Sequence, residues 1–156
     1  MLNAVYLNFA SPSNEPVLAF LHITDKDTAA TYLPEEVNLY GLGTHPDLVD
    51  YLWGLGENAV RGCACVINQR GAPLLVHPTS GVIFGLAGGT SILAMRLPEP
   101  ELSTALTVPK YGAEYHYPNS TVYAKNMGED WALLKPFDKS NDDYCMSAFA
   151  YAATLT

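Results

Sequence analysis

Between residues 58 and 98 the chain has no aspartate or glutamate. Its only charges there are Arg61, Arg70 and Arg96. Unpaired carboxylates are rarely buried, so a segment destined for a core leaves them out. This stretch therefore reads as the source of the buried strands, with solvated faces supplied by its flanks. Residues 1–57 carry eight acids against Lys26 alone, a balance of −7. Residues 99–156 stand at −4, and the whole chain at −8.

Local pattern within the stretch supports a sheet. Cys63-Ala64-Cys65-Val66-Ile67 reads as a strand, Gln69-Arg70-Gly71 as a turn and Leu74-Leu75-Val76 as a second strand. His77-Pro78-Thr79-Ser80-Gly81 is a turn cluster. Two further strands, 82–87 and 90–97, flank Gly88-Gly89, a pair suited to the positive φ angles of a two-residue hairpin turn. Strands this close in sequence pair antiparallel. Elsewhere, residues 3–9, 17–23, 111–124 and 131–134 read as strands, the second of them ambiguous with a helix because a short apolar run has no periodicity. A short helix is expected from Thr24 to Leu33.

Two helices of ordinary length are legible. Thr44-His45-Pro46-Asp47 has capping-box spacing with proline in the first turn, and Leu48, Val49, Leu52 and Trp53 share one face. This predicts a helix over 45–55, stopped at Gly56. Ser140-Asn141-Asp142-Asp143 repeats the spacing and predicts a helix over 141–154, with Tyr144, Cys145, Ala148, Phe149 and Ala152 as its stripe. The fold expected is α+β: one domain over 1–156, a mainly antiparallel sheet with these two helices packed on it.

Charge and hydropathy exclude several classes. A net charge of −8 argues against nucleic acid and anionic membrane surfaces, which select for basic patches. No apolar run approaches the ~18 residues of a membrane span. The first residues, MLNAVYLNFASPSNEP, lack the basic and long apolar regions of a secretion signal. With three cysteines, Cys63, Cys65 and Cys145, the expectation is free thiols and a cytoplasmic protein.

Sites with chemistry are scarce. Gly85-Leu86-Ala87-Gly88-Gly89-Thr90-Ser91 lacks the Walker lysine and the dinucleotide fingerprint, and a hairpin explains it better than phosphate binding. His77 with Thr79 or Ser80 could form a small hydrolase or transferase site, but the carboxylate that orients such a histidine must come from outside 58–98. Cys63 and Cys65 share a strand face without structural-zinc spacing and read as core. The pairs Glu35-Glu36, Glu129-Asp130 and Asp142-Asp143 are adjacent rather than set across a substrate, and so read as solvated or capping. No metal or other cofactor is expected.

The strongest signal is Tyr111-Gly112-Ala113-Glu114-Tyr115-His116-Tyr117-Pro118. Tyr115 and Tyr117 fall on one strand face, and tyrosines anchor interfaces with large area and a polar tip. With no complete catalytic set, the leading expectation is a non-catalytic protein-binding domain. Its partner would be basic, as for an inhibitor or immunity-type protein. Glu35, Glu36, Asp47 and Asp50 would steer that partner, and Tyr115 and Tyr117 would hold it. A homo-oligomeric structural subunit, pairing through an edge strand, is the remaining alternative.

Overall fold

Every residue of the strands β2 (Pro73–Val76) and β4 (Ile92–Arg96) is buried, and five of the six in β3 (Ile83–Gly88) are. A strand covered on both faces has no polar side to show, which is why these segments read as continuous apolar runs. The computed structural model describes residues 7–21, 45–59, 64–67, 73–88, 92–107 and 126–156. With β1 (Ala64–Ile67) and β5 (Trp131–Leu133), the strands form one antiparallel sheet in sequence order.

The expectation of two helices is corrected. Among the described residues there are four: α1 (Glu15–Leu21), α2 (Pro46–Ala59), α3 (Glu101–Thr107) and α4 (Asn141–Ala152). The two additional helices are short, and each hid for a physical reason. Val17–Ile23 is apolar throughout its first five residues, and a buried helix has the same composition as a buried strand. What decides for helix lies upstream: Pro16 fixes φ in the first turn, and the Asn14 carbonyl accepts the Leu18 N–H at 2.8 Å. In α3, Leu102 and Ala105 turn inward at i and i+3, behind Pro98 and Pro100, which mark a helix start as well as a sheet break.

The four helices divide between the faces. Leu75, Phe84, Leu93, Met95 and Ala132 share one core cluster with α2, α3 and α4. Leu74, Val76, Ile83, Leu86, Ile92, Ala94, Trp131 and Leu133 point to the other face, against Val17 and Leu18 of α1 and against Leu7 and Met127. Fully burying each aliphatic side chain contributes roughly 1.5–3 kcal/mol, so both faces stabilise the sheet. The expected strand at 3–9 is not seen where it is described: Leu7, Asn8 and Phe9 lie outside any strand.

The ladder has one irregularity. Leu75 pairs with Gly85 but Val76 pairs with Ile83, so Phe84 is an extra residue on β3. This bulge turns both Phe84 and the neighbouring position toward the α2–α4 face. A side chain at Gly85 would begin 3.0 Å from the Met95 sulfur and 3.1 Å from a Leu75 methyl, so glycine is what fits.

Three local expectations are adjusted. Gly88 belongs to β3 and pairs with Ile92, so the connection is not a two-residue turn at Gly88-Gly89; residues 89–91 lie outside the described set. Helix α2 starts one residue later than expected and runs through Gly54 and Gly56 to Ala59. Its cap is His45: the ring Nδ1 accepts the Asp47 N–H at 3.1 Å, and the His45 carbonyl accepts the N–H groups of Leu48 and Val49. An Nδ1 used as acceptor has no proton for the Asp47 carboxylate 4.0 Å away, so this contact is a cap and not an ion pair. At α4, Ser140 makes no side-chain cap of its own. Asp138 accepts both the Ser140 N–H at 3.0 Å and its hydroxyl at 2.7 Å, which holds the Asp138 carboxyl below its ordinary pKa. The expected helix at 24–33, the turn at 69–71 and the strand at 111–124 lie outside the described residues.

Candidate functional site

Helix α2 buries Leu48, Val49, Leu52, Trp53 and Leu55. Its far edge carries Asp47, Asp50 and Gly54, spaced i, i+3 and i+7 and so in line along the helix surface. Beside that line runs an open groove of about 400 Å³. Tyr51 and Leu55 complete its α2 side, and Phe137 and Asp142 form the opposite wall.

Asn141 sets the opposite wall in place. Its side chain is buried, and its amide donates to the Tyr51 hydroxyl at 2.9 Å and to the Lys135 carbonyl at 2.7 Å. Tyr51 in turn donates to the Asp138 carbonyl at 3.3 Å. Residues 135–138 are thereby tied to α2 from both ends of the turn. Phe137, at the crest of that turn, is 60% exposed and has φ 66°. A bulky side chain in the left-handed region is uncommon and is held there by its surroundings. Its ring lies 4.6 Å from that of Tyr51, tilted by 46°. Burial pushes the Tyr51 hydroxyl above its ordinary pKa, with Asp142 and Asp138 adding in the same direction, so it stays a neutral hydrogen-bonding group.

The groove has an aromatic and aliphatic lining with a rim of three carboxylates. Among the described residues, Asp47, Asp50 and Asp142 make no ion pair with lysine or arginine. A cation with an apolar or planar body fits such a surface, through the carboxylates and the faces of the two rings. Gly54 keeps the groove open. Inside a helix, glycine costs about 1 kcal/mol relative to alanine. Yet a Cβ placed there meets no atom within 4 Å, so nothing in the described structure requires its absence.

Asp47 and Asp50 are two of the acidic residues singled out from the sequence, and the fold brings them together with Asp142. Glu35, Glu36, Tyr115 and Tyr117 lie outside the described residues. Sequence reasoning missed Tyr51, Phe137 and Asp142 as site residues. Asp142 had a sufficient explanation at the helix N-terminus. The legible signal for Phe137 was an aromatic set between the turn-forming Pro136 and Asp138.

His77, Thr79 and Ser80 occupy the β2–β3 turn, where the His77 Nδ1 and the Ser80 hydroxyl are bonded to the backbone. His77 is buried, and its Nδ1 accepts the N–H groups of Thr79 at 3.1 Å and Ser80 at 3.2 Å. The Ser80 hydroxyl donates to the Ala152 carbonyl at 3.0 Å, at the end of α4. Gly81 closes the turn at φ 70°, its N–H bonded to the His77 carbonyl. Among the described residues no carboxylate orients the imidazole, whose ring lies 4.6 Å from that of Phe149. Nδ1 as an acceptor from two backbone donors is a structural role, and it leaves no base facing Ser80.

That role has a pH signature. Burial lowers the His77 pKa from its ordinary value. Below about pH 6.5 the unfolded chain therefore takes up a proton that the folded chain refuses. The stabilisation from neutral His77 is complete above that pH and is lost as pH falls toward the folded value. His77→Asn keeps an acceptor near the Nδ1 position but does not titrate. The urea midpoint of wild type should drop more than that of His77→Asn between about pH 7.5 and pH 5.5. Equal drops would remove His77 from the pH dependence.

Compared with known proteins, the chain matches no family model, no curated protein and no solved structure. Among the described residues no group of three or more His, Cys, Asp or Glu is placed to hold a metal ion. No described helix is long and apolar enough to cross a membrane. The Cys145 thiol is buried and donates to the Leu55 carbonyl at 3.8 Å, and the side chains of Cys63 and Cys65 lie outside the described set.

Proposed function

We propose that this chain is a non-catalytic, cytoplasmic protein-binding domain of the inhibitor or immunity type, and that it engages a basic partner through the α2–α4 groove. The observation that carries this reading is the convergence of Asp47, Asp50 and Asp142 on one concavity that Tyr51 and Phe137 also line. Exposed carboxylates that form no ion pair with lysine or arginine among the described residues steer a basic protein in, and partly desolvated aromatic rings hold it. The acidic balance of residues 1–57 agrees with a basic partner. Glu35 and Glu36 are assigned to the steering, and Tyr115 and Tyr117 to the contact, on the strength of the sequence.

The test is comparative capture followed by kinetics. Wild type and the triple variant Asp47→Asn/Asp50→Asn/Asp142→Asn are used as baits, and a protein retained only by wild type is identified and purified. Its association rate should fall about tenfold or more from low to high salt, and should be slower at low salt for the triple variant. A salt-independent association rate, unchanged in the triple variant, would leave the acidity as a solubility feature and overturn the reading.

A further inference from the structure

We infer that the α2–α4 groove receives one arginine side chain of the basic partner, its guanidinium laid on the Tyr51–Phe137 pair and its N–H groups directed at Asp47, Asp50 and Asp142. The inference rests on the reading above and narrows it from a basic protein to one residue type at one place.

Several observations select this occupant. The groove, at about 400 Å³, is at the lower end of the roughly 300–1,000 Å³ range of ligand pockets, ample for one long side chain and too small to seat a helix. Its three exposed carboxylates give it a negative rim, complementary to a cation. Tyr51, Gly54 and Phe137 line the groove between those carboxylates and offer ring faces and open space instead of further hydrogen-bond acceptors. A lysine ammonium is compact and strongly hydrated, and loses that hydration against such a lining. A guanidinium is planar and weakly hydrated, stacks on aromatic faces, and still presents donors at its edge to carboxylates. Phe137 is also held out from the core, 60% exposed, on a turn anchored through Asn141. Gly54 is the position from which any side chain would project into the space the arginine stem needs.

The probes are end-blocked hexa-arginine and hexa-lysine peptides, titrated calorimetrically into the full chain at low salt. Hexa-arginine should bind about threefold to tenfold more tightly than hexa-lysine. Gly54→Leu keeps every charge and a good helix former but fills the groove, and should erase that preference. Phe137→Gly suits the positive φ, removes only an exposed ring, and should erase it too without loss of thermal stability. Asp143→Asn changes the charge as Asp50→Asn does, but Asp143 does not line the groove. It should leave the preference intact, whereas Asp50→Asn should reduce it. Equal binding of the two peptides by wild type would overturn the inference, as would a preference that survives in both Gly54→Leu and Phe137→Gly. Either result leaves the broader reading standing if the association of a captured basic protein still depends on salt and on the three aspartates. Loss of that dependence as well would sink both.

Discussion

Replacing Arg96 with methionine should lower the folding free energy by about 3–5 kcal/mol, read as a fall in the urea midpoint with little change in slope. Arg96 points from β4 to the α1 face of the sheet and is 3% exposed. Its Nε donates to the Ile83 carbonyl at 3.0 Å, one Nη to the Ser13 carbonyl at 2.7 Å and the other to Asp130 at 3.4 Å. The guanidinium carbon lies 5.0 Å from the centre of the Trp131 ring, its cross-strand partner. One side chain thus joins β3, the segment before α1 and the turn before β5. Burial pulls the guanidinium below its ordinary pKa and Asp130 acts in the opposite direction, but an arginine has enough margin to stay charged. Methionine fills much of the volume and supplies none of the donors. It leaves two carbonyls without this donor and Asp130 with the Tyr151 hydroxyl at 3.1 Å. Arg96→Lys keeps the charge but cannot reach three directions at once, so it should recover less than half of the loss. A loss below about 1 kcal/mol for Arg96→Met would show that the carbonyls are satisfied another way.

Arg96 also shows where the sequence stops being readable. The acid-free stretch correctly marked buried strands, because a core excludes carboxylates. The same feature concealed that one of its arginines is neutralised from outside, by Asp130, 34 residues downstream. Leu74-Leu75-Val76 was legible as a short apolar run ended by the turn formers His77-Pro78. The bulge at Phe84 was not, since one extra residue on a strand depends on the register of its partner, which no local pattern fixes. Helix α2 was legible from its stripe, and its far edge from its acids. The groove was half legible for that reason: Asp47 and Asp50 announce themselves by charge. Phe137 becomes a wall only because Asn141 ties the Lys135 carbonyl to Tyr51, 90 residues earlier than Asn141 itself. Asparagine at a helix start has an ordinary local explanation, and local explanations absorb residues whose work is tertiary. The short helices α1 and α3 illustrate the converse: each is fixed by packing, and seven residues give too few turns for a period to show.

Replacing Asn14 with leucine should cost about 2–4 kcal/mol, although leucine is close in size and the site is fully buried. Asn14 precedes α1 and reaches the sheet where the β2–β3 ladder is disturbed by the bulge. Its Oδ1 accepts the Ile83 N–H at 2.8 Å, and its Nδ2 donates to the Gly81 carbonyl at 2.8 Å and the Asn8 carbonyl at 2.9 Å. The carbonyls keep other partners: Gly81 also accepts the Asn8 N–H, and Asn8 accepts that of Ser11. The Ile83 N–H is the group left orphaned, inside the core, and an orphaned buried donor retains its full desolvation cost. Asn14→Asp separates this account from a simple packing effect. It preserves the acceptor for Ile83 but turns a carboxylate oxygen toward two carbonyls, so the introduced carboxyl should titrate above its ordinary range in the folded protein. The folded state then binds the proton more tightly than the unfolded state, and stability in that window falls as pH rises. Measured against wild type at each pH, Asn14→Asp should therefore show a larger deficit near pH 8 than near pH 4.5, whereas the Asn14→Leu deficit should stay constant. A deficit for Asn14→Asp that does not change with pH would mean the side chain has turned out of the site, and the link between α1 and the bulge would have to come from backbone contacts alone.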